Sequence, residues 1–225
     1  MTKKRIATMA TCIALVGAVA VGGTLALLSQ QSNTVTNTFT IGNGYPETAL
    51  TLDEAPVARV TTGTENFGGY NAIGGDRVEA NDYANLVADT TLDKDPTFHL
   101  ATGSPDSWII AKVTGVSALK EKGITINGEL PYDYGWLKLN TEDGTATPIT
   151  EYADLTDGYY VTKEIVTAGN DTDDLFEELK VGANVTRGAL DDIVVSGVAV
   201  ESVTDAWAND GAAVVAQAKT ADFIQ

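Results

Sequence analysis

The first 41 residues carry three hydrophobicity patterns in succession. Lys3, Lys4 and Arg5 form a basic start, and an uncharged, mostly apolar run follows from Ile6 to Leu28. Residues 33–41 then alternate between two kinds of side chain with a period of two. A basic and then apolar start is typical of a secretory leader, and the alternation predicts a β-strand directly behind it.

Small residues near the end of the apolar run indicate where the leader is cut. Cleavage after Ala26 places Thr24 at position −3 and makes Leu27 the new N-terminus, and small side chains at −3 and −1 suit a signal peptidase. The sequence therefore predicts a signal peptide over residues 1–26. A retained transmembrane helix is the alternative, because the uncharged run reaches the length of about 20 residues that crosses a bilayer.

The strand that follows the leader presents two different faces. Val35, Asn37, Phe39 and Ile41 share one face, and four threonines occupy the other. After cleavage this strand lies near the N-terminus, where it either pairs within its own sheet or completes the sheet of a neighbouring subunit. Residues 27–42 are therefore interpreted as an N-terminal segment that one subunit is able to donate to another.

Short strands separated by turn signals account for most of the remaining chain. The clearest is 107–116, in which both faces are apolar, as in a central strand between two layers. The other predicted strands are 49–52, 56–61, 97–101, 136–139, 158–166 and 192–203. This pattern predicts an all-β protein, a β-sandwich with minor helices, as one domain over residues 43–225.

Several segments carry helix or irregular signals. The predicted helices are one turn over 117–122, a short helix over 173–180 behind Thr172 or Asp173, and a C-terminal helix over 204–218 interrupted at Gly211. For residues 78–88, inside a glycine-rich stretch, the pattern predicts either a strand or a helical turn. Gly197 predicts a β-bulge in the last strand.

Composition adds a strongly acidic surface to this picture. The chain carries a formal net charge of −17, and removal of the leader with its three basic residues takes this to −20. Such a surface repels nucleic acid and anionic membranes, so membrane contact is expected only during export. The single cysteine, Cys12, and both methionines lie in the leader, so the mature chain has no disulfide or thiol chemistry.

Catalytic and metal-binding motifs are weak in this sequence. His99 is the only histidine, so no zinc motif with two histidines exists, and its strand position predicts a surface residue. The acidic residues Asp171, Asp173, Asp174, Glu177 and Glu178 suggest calcium, but their spacing does not follow an EF-hand loop. Tyr132, Tyr134 and Trp136 alternate, and packing explains them better than sugar stacking. The sequence therefore predicts a protein without catalytic, cofactor or metal residues.

Three segments carry a resemblance to a known family: LVGAVAVGGTLALLSQQSNTVTNTFTIG (15–42), LDKDPTF (92–98) and SPDSWIIAKV (104–113). The first resembles the SipW-type leader and mature start of the TasA/camelysin family of exported Gram-positive proteins, and the other two continue the resemblance. It is weaker at 158–166, 174–181 and around Trp207. The resemblance implies a jelly-roll fold and assembly into biofilm-matrix fibres, in which each N-terminal strand fills a groove of the next subunit. Camelysin-like members are described as metallopeptidases, and the single histidine argues against that activity here.

Two functions from different classes follow from these observations. The first is a secreted structural protein that forms extracellular fibres, with copies of itself, the signal peptidase and other matrix proteins as partners. In that interpretation Val35, Asn37, Phe39 and Ile41 carry strand donation. The second is a monomeric secreted module that binds a glycan or a host protein through the glycine-rich loops of 62–76 or the aromatic residues. A secreted hydrolase is the weakest hypothesis, because nothing singles out a pair of acids among many.

Overall fold

A computed structural model describes residues 45–186, 188, 190–204 and 206–225, and within these it is predominantly β. The strands are β1 (Leu50–Asp53), β2 (Val57–Arg59), β3 (Tyr70–Ala72), β4 (Thr91–Asp93), β5 (Thr97–Leu100), β6 (Ser107–Thr114), β7 (Ile124–Asn127), β8 (Trp136–Leu139), β9 (Ala146–Pro148), β10 (Gly158–Thr162), β11 (Glu178–Val181) and β12 (Val194–Glu201). The helices are α1 (Val116–Glu121), α2 (Trp207–Thr220) and a 3-10 helix at Tyr152–Asp154.

The strands form three sheets. One five-stranded sheet has the order β12-β6-β10-β8-β9, the second has the order β2-β3-β4-β11-β7, and β1 pairs with β5 in a two-stranded sheet. The pairings are antiparallel except the one between β3 and β4. The longest register joins β6 to β12 over eight residue pairs, from Thr114 opposite Val194 to Ser107 opposite Glu201.

Side chains from both five-stranded sheets meet in one hydrophobic core. Ile109 and Ala111 of β6 and Tyr160 of β10 are fully buried there. Leu92 of β4 and Val181 of β11 join the same cluster from the other sheet. Burial of this apolar surface is the main favourable contribution to folding.

The opposite face of β6 contacts a second core beneath α2. Trp108 and Ile110 of β6 pack there with Val214, Val215 and Ala218 of the helix. The prediction that both faces of this strand are buried is therefore confirmed. A strand covered on both sides needs apolar residues at successive positions, which explains the run SWIIAKV.

A buried carboxylate holds the start of α2 against β6. Asp210 is 2% exposed, and its carboxylate accepts hydrogen bonds from Trp108 Nε1 at 3.0 Å, Ser202 Oγ at 2.9 Å and Thr204 Oγ1 at 2.6 Å. The hydrogen bonds from Thr204 and Trp108 lower the pKa of Asp210 below its ordinary value. Helix and sheet are thus joined by polar contacts as well as by packing.

Several strand predictions are confirmed, and three of them, including 49–52 for β1, fall within one residue of the observed bounds. Residues 97–101 form β5, with Phe98 and Leu100 buried and His99 on the other face, and 136–139 form β8. The predicted helical turn at 117–122 is present as α1. The predicted strand 158–166 is shorter, because β10 ends at Thr162 and only Val166 makes a further bridge, to Ser107.

The prediction of a helix over 173–180 is wrong. Leu175 and Phe176 lie in an irregular segment and are 0% and 1% exposed, and the chain then continues as β11. In β11 the buried residues Leu179 and Val181 alternate with Glu178 and Lys180, which is the period of a strand. The acidic residues that resembled a helix start instead flank two core side chains.

Three further expectations are corrected. Residues 78–88 form neither a strand nor a helical turn, since only Val78 makes an isolated bridge, to Glu54. Gly197 makes no bulge, because β12 pairs with β6 without interruption, and a Cβ at this position would overlap the buried Phe98 ring. Gly211 does not interrupt α2; a Cβ there would lie 2.6 Å from the carbonyl oxygen of Gly144, so glycine permits close packing.

Candidate functional site

The residues predicted to carry export and strand donation lie outside the described part of the chain. They are Thr24, Ala26 and Leu27 at the predicted cleavage site and Val35, Asn37, Phe39 and Ile41 in the predicted donor strand. One surface of the described residues lies next to the edge of a sheet.

That surface is a groove of about 1080 Å³ beside the first residues of β12. Its apolar lining consists of Leu52, Leu86, Leu92, Leu119, Ile124, Leu179, Val185, Leu190, Ile193 and Val195. Its volume lies just above the range of about 300–1,000 Å³ that small-molecule sites occupy. Acidic and polar side chains share the lining with these apolar ones, and a groove of this size is able to take an extended segment with several side chains.

An unpaired strand edge borders the groove. Among the described residues, β12 pairs on one side with β6 and ends the five-stranded sheet on the other. Val194 at its start is 55% exposed, and Val194 and Val195 contribute to the groove lining. An edge strand presents N–H and C=O groups to which another strand can pair.

The irregular segment 79–86 contributes to the groove and is held to the sheets by polar contacts. Asn81 donates its backbone N–H to Glu54 Oε1 at 2.9 Å and its side-chain amide to the Ala55 carbonyl at 2.8 Å. Tyr83 donates its hydroxyl to the Asp93 carbonyl at 2.7 Å. These bonds fix a segment without regular structure, so the groove is preformed.

A buried ion pair supports the same segment. Lys94 Nζ lies 2.6 Å from Glu54 Oε2, and the two side chains are 14% and 5% exposed. Lys94 also lies over the ring of Tyr83, 5.9 Å from its centroid. Removing one partner of such a pair leaves an uncompensated charge, so the pair favours one arrangement of this side of the groove.

A charged network around His99 lies next to the groove at Asp53. His99 Nδ1 is 2.7 Å from Asp171 Oδ1, and His99 Nε2 is 2.8 Å from Asp53 Oδ1. Arg77 ion-pairs with Asp53 and also with Asp95, where Nη1 lies 2.8 Å from Oδ2. Both ring nitrogens of His99 face carboxylates, an arrangement that favours the doubly protonated imidazolium form.

The pKa values in this network follow from these contacts. Burial alone would lower the pKa of His99, but hydrogen bonds to Asp53 and Asp171 outweigh it and hold the pKa above its ordinary value. Burial opposes ionisation of Asp53 as well, yet the hydrogen bonds from Arg77 and His99 lower its pKa. The sequence indicated that His99 is a plain surface residue and did not predict these contacts. In the structure the His99 side chain is 25% exposed and pairs with both Asp53 and Asp171.

The acidic residues at 171–178 separate into different roles. Asp171 pairs with His99, and Asp174 Oδ1 accepts a hydrogen bond from Thr97 Oγ1 at 2.6 Å. Burial raises the pKa of Asp174. Among the described residues, no group of three histidine, cysteine or acidic side chains is arranged to hold a metal ion.

The three alternating aromatic residues do not share a surface. Tyr132 is fully exposed, whereas Tyr134 and Trp136 are 7% and 1% exposed and belong to the inter-sheet core. Tyr134 donates its hydroxyl to the Leu175 carbonyl at 2.5 Å. Packing therefore explains Tyr134 and Trp136, and only Tyr132 faces solvent.

Comparison of the chain with models of protein families, with curated proteins and with solved structures found no match. In the part of the chain that the structure describes, none of the helices has the length and apolar character needed to cross a bilayer. The groove beside β12 is the feature of the described residues on which the proposed function rests.

Proposed function

We propose that this chain is an exported structural protein without enzymatic activity, a subunit of an extracellular or biofilm-matrix fibre. Each subunit donates its N-terminal strand, residues 33–41, to the groove beside β12 of the next subunit. The groove is the single observation that carries this proposal, because it combines apolar lining residues with an adjacent strand edge that is unpaired among the described residues. The resemblance to the TasA/camelysin family points to the same function.

The donor strand is long enough to pair along the whole edge of β12, and its pattern suits the groove at the start of that edge. Nine residues in a strand span about 30 Å, and the eight residues of β12 span about 26 Å. Val35, Phe39 and Ile41 lie on one face of the donor strand, where they would enter the apolar groove. Main-chain hydrogen bonds to β12 supply affinity, and the side chains in the groove supply specificity.

The described chain begins at the end of β12 that lies away from the groove. It begins at Tyr45, whose hydroxyl lies 2.8 Å from Ser107 Oγ, and Ser107 is opposite Glu201 at the end of β12. The groove lies at the other end, near Val194, about 23 Å away along the strand. A head-to-tail contact between different surfaces need not close on itself and is then able to continue as a fibre.

The finer parts of the fold and of the cellular role belong to the same proposal. The two five-stranded sheets with their shared core are interpreted as the layers of a jelly-roll-like β-sandwich. Removal of residues 1–26 by a signal peptidase frees the donor strand, which couples export to assembly outside the cell. Other matrix proteins with a similar strand are further partners.

Negative-stain electron microscopy tests the proposal directly. The mature chain from Leu27 is expected to form filaments, and a chain that begins at Gly42 is expected to stay monomeric, because it lacks the donor strand. A Phe39→Ala variant loses the largest side chain on the inward face and is expected to assemble more weakly. Thr38→Ala, on the outward face, is the matched control.

Two results would contradict the proposal. Filaments from the Gly42 chain would show that residues 33–41 are not the donor. Monomers from both chains would favour the secreted binding module, with the N-terminal strand paired inside its own sheet. In that case the groove would be the first place to look for a ligand of the monomer.

A further inference from the structure

We propose that the groove selects its occupant by charge, accepting an extended strand without acidic side chains and repelling one that carries them. The inference rests on the proposed function and names the class of strand that the groove accepts. Four exposed carboxylates that line the groove, those of Glu79, Asp82, Asp191 and Asp192, determine this preference.

Acidic groups dominate the charges that line the groove. Asp53 and Glu54 add two more carboxylates, and Lys94 is the only cation among the described lining residues. Lys94 is already paired with Glu54, and Asp53 is paired with Arg77 and His99. Among the described residues, the four exposed carboxylates have no ion-pair partner, so their charges face whatever enters the groove.

The proposed occupant is free of charge over an unusual length. Residues 6–46 contain no aspartate, glutamate, lysine or arginine, although 20% of the whole chain is charged. The predicted leader accounts for the absence of charged residues only up to residue 26. At the average composition, the 20 residues from Leu27 to Pro46 would carry four charges, and they carry none.

These two observations fit each other physically. An acidic side chain on the incoming strand would meet like charges at the edge of an apolar groove, where water is displaced and repulsion is strongest. An uncharged strand avoids that cost. The acidic segments that fill the rest of this chain are therefore poor competitors for the groove, and the neutral N-terminal strand is the favoured occupant.

Outward-facing threonines of the donor strand allow a test that leaves the inward face intact. Three mature chains carry Thr36→Glu/Thr38→Glu, Thr36→Gln/Thr38→Gln or Thr36→Lys/Thr38→Lys. The measurement is the critical concentration for filament formation, obtained by sedimentation at about 20 mM and at about 0.5 M salt, where the Debye length falls from about 20 Å to about 4 Å.

A charge-matched control separates local selection from the repulsion between whole subunits. Ala213→Glu/Gln217→Glu adds the same two charges to the exposed face of α2, which packs on the opposite face of β6 from the inter-sheet core. A second variant, Asp191→Asn/Asp192→Asn, removes two groove carboxylates from the chain with the acidic strand. Arg187 lies outside the described residues. Arg187→Gln, made in the chain with the acidic strand, measures how much this cation contributes to the critical concentration.

The acidic strand is expected to raise the critical concentration about tenfold at low salt, since each exposed like-charge pair contributes a factor of about 2 to 5. The glutamine chain should stay within about twofold of the unmodified chain, and the lysine chain should assemble at a lower concentration. High salt and the Asp191→Asn/Asp192→Asn change should each remove most of the difference in critical concentration between the glutamate and glutamine chains.

Equal assembly of the glutamate and glutamine chains at low salt would overturn charge selection while leaving strand donation in place. Equal inhibition by the two glutamates on α2 would also overturn it, because the effect would then belong to net charge. If the unmodified mature chain forms no filament, the proposed function fails and this inference fails with it.

Discussion

At the scale of single residues, His99 shows how contacts between distant parts of the chain set the chemistry of one side chain. Its partners Asp53 and Asp171 lie 46 and 72 positions away in the sequence. The alternation in β5 correctly places His99 opposite Phe98 and Leu100. No local pattern indicates which carboxylates surround it, and for that reason the sequence alone missed the network.

The His99 network predicts a pH dependence of known sign. The pKa of His99 is raised in the folded chain, so its contribution to stability is complete below the ordinary value of about 6.5 and is lost as the pH rises through the folded value. As the only histidine, His99 is followed in an NMR titration without overlap from other imidazole rings. Its midpoint is expected above 6.5.

Asp171→Asn is expected to lower that midpoint, because it replaces a charged hydrogen-bond partner by a neutral one. Asp173→Asn, two residues away without a contact to His99, is the control. A midpoint at or below about 6.5 in the unmodified chain would contradict the paired geometry.

A second prediction at this scale concerns Gly197. A Cβ at this position would lie 2.7 Å from Cζ of Phe98, whose side chain is 1% exposed and has little room to move. Gly197→Ala is therefore expected to cost about 1–3 kcal/mol in the free energy of unfolding, as overpacking does elsewhere. Chemical denaturation measures the change. Gly74→Ala, where a Cβ meets no atom within 4 Å, is the matched control and should be close to neutral.

At the scale of elements, period-two alternation predicted the strands that lie between layers. It succeeded for β5, β6 and β8 because burial on one or both faces imposes the pattern directly on the sequence. The prediction of a helix over 173–180 was wrong, because clustered acidic residues resembled the start of a helix. In the structure Leu175 and Phe176 of this segment are buried in the core. The groove was not predictable, since its lining comes from many separate segments that only the tertiary fold brings together.

The attachment of α2 provides the prediction at this scale. Asp210→Asn keeps the size of the side chain but removes the charge that Trp108, Ser202 and Thr204 bind, so the thermal unfolding midpoint should fall. The pKa of Asp210 is lowered by folding, so its contribution is present above the ordinary value of about 3.9 and is lost as the pH falls through the folded value.

The difference in unfolding midpoint between the two chains should therefore narrow as the solution is acidified. Asp222→Asn, just beyond the end of α2, is a control that should leave the midpoint unchanged. Equal midpoints for the Asp210→Asn chain and the unmodified chain at neutral pH would show that apolar packing alone holds the helix.

At the scale of the whole molecule, the proposed exchange between unlike donor and acceptor surfaces would give a filament two unlike ends. A chain that begins at Gly42 keeps the groove but has no strand to donate, so it is able to join a filament only as an acceptor. Added in small amounts to the mature chain, it is expected to shorten the filaments in proportion to its share. Electron microscopy measures the length distribution, and unchanged lengths would argue against head-to-tail exchange.

The three tryptophans are divided between the two cores. Trp136 lies between the sheets near Phe98, whereas Trp108 and Trp207 meet edge to face beneath α2, with ring centroids 5.1 Å apart. Intrinsic fluorescence therefore contains a separate signal from each side of β6. A chain with Trp136→Phe reports only the helix-covered side, so optical spectroscopy can show whether α2 detaches before the sheets separate.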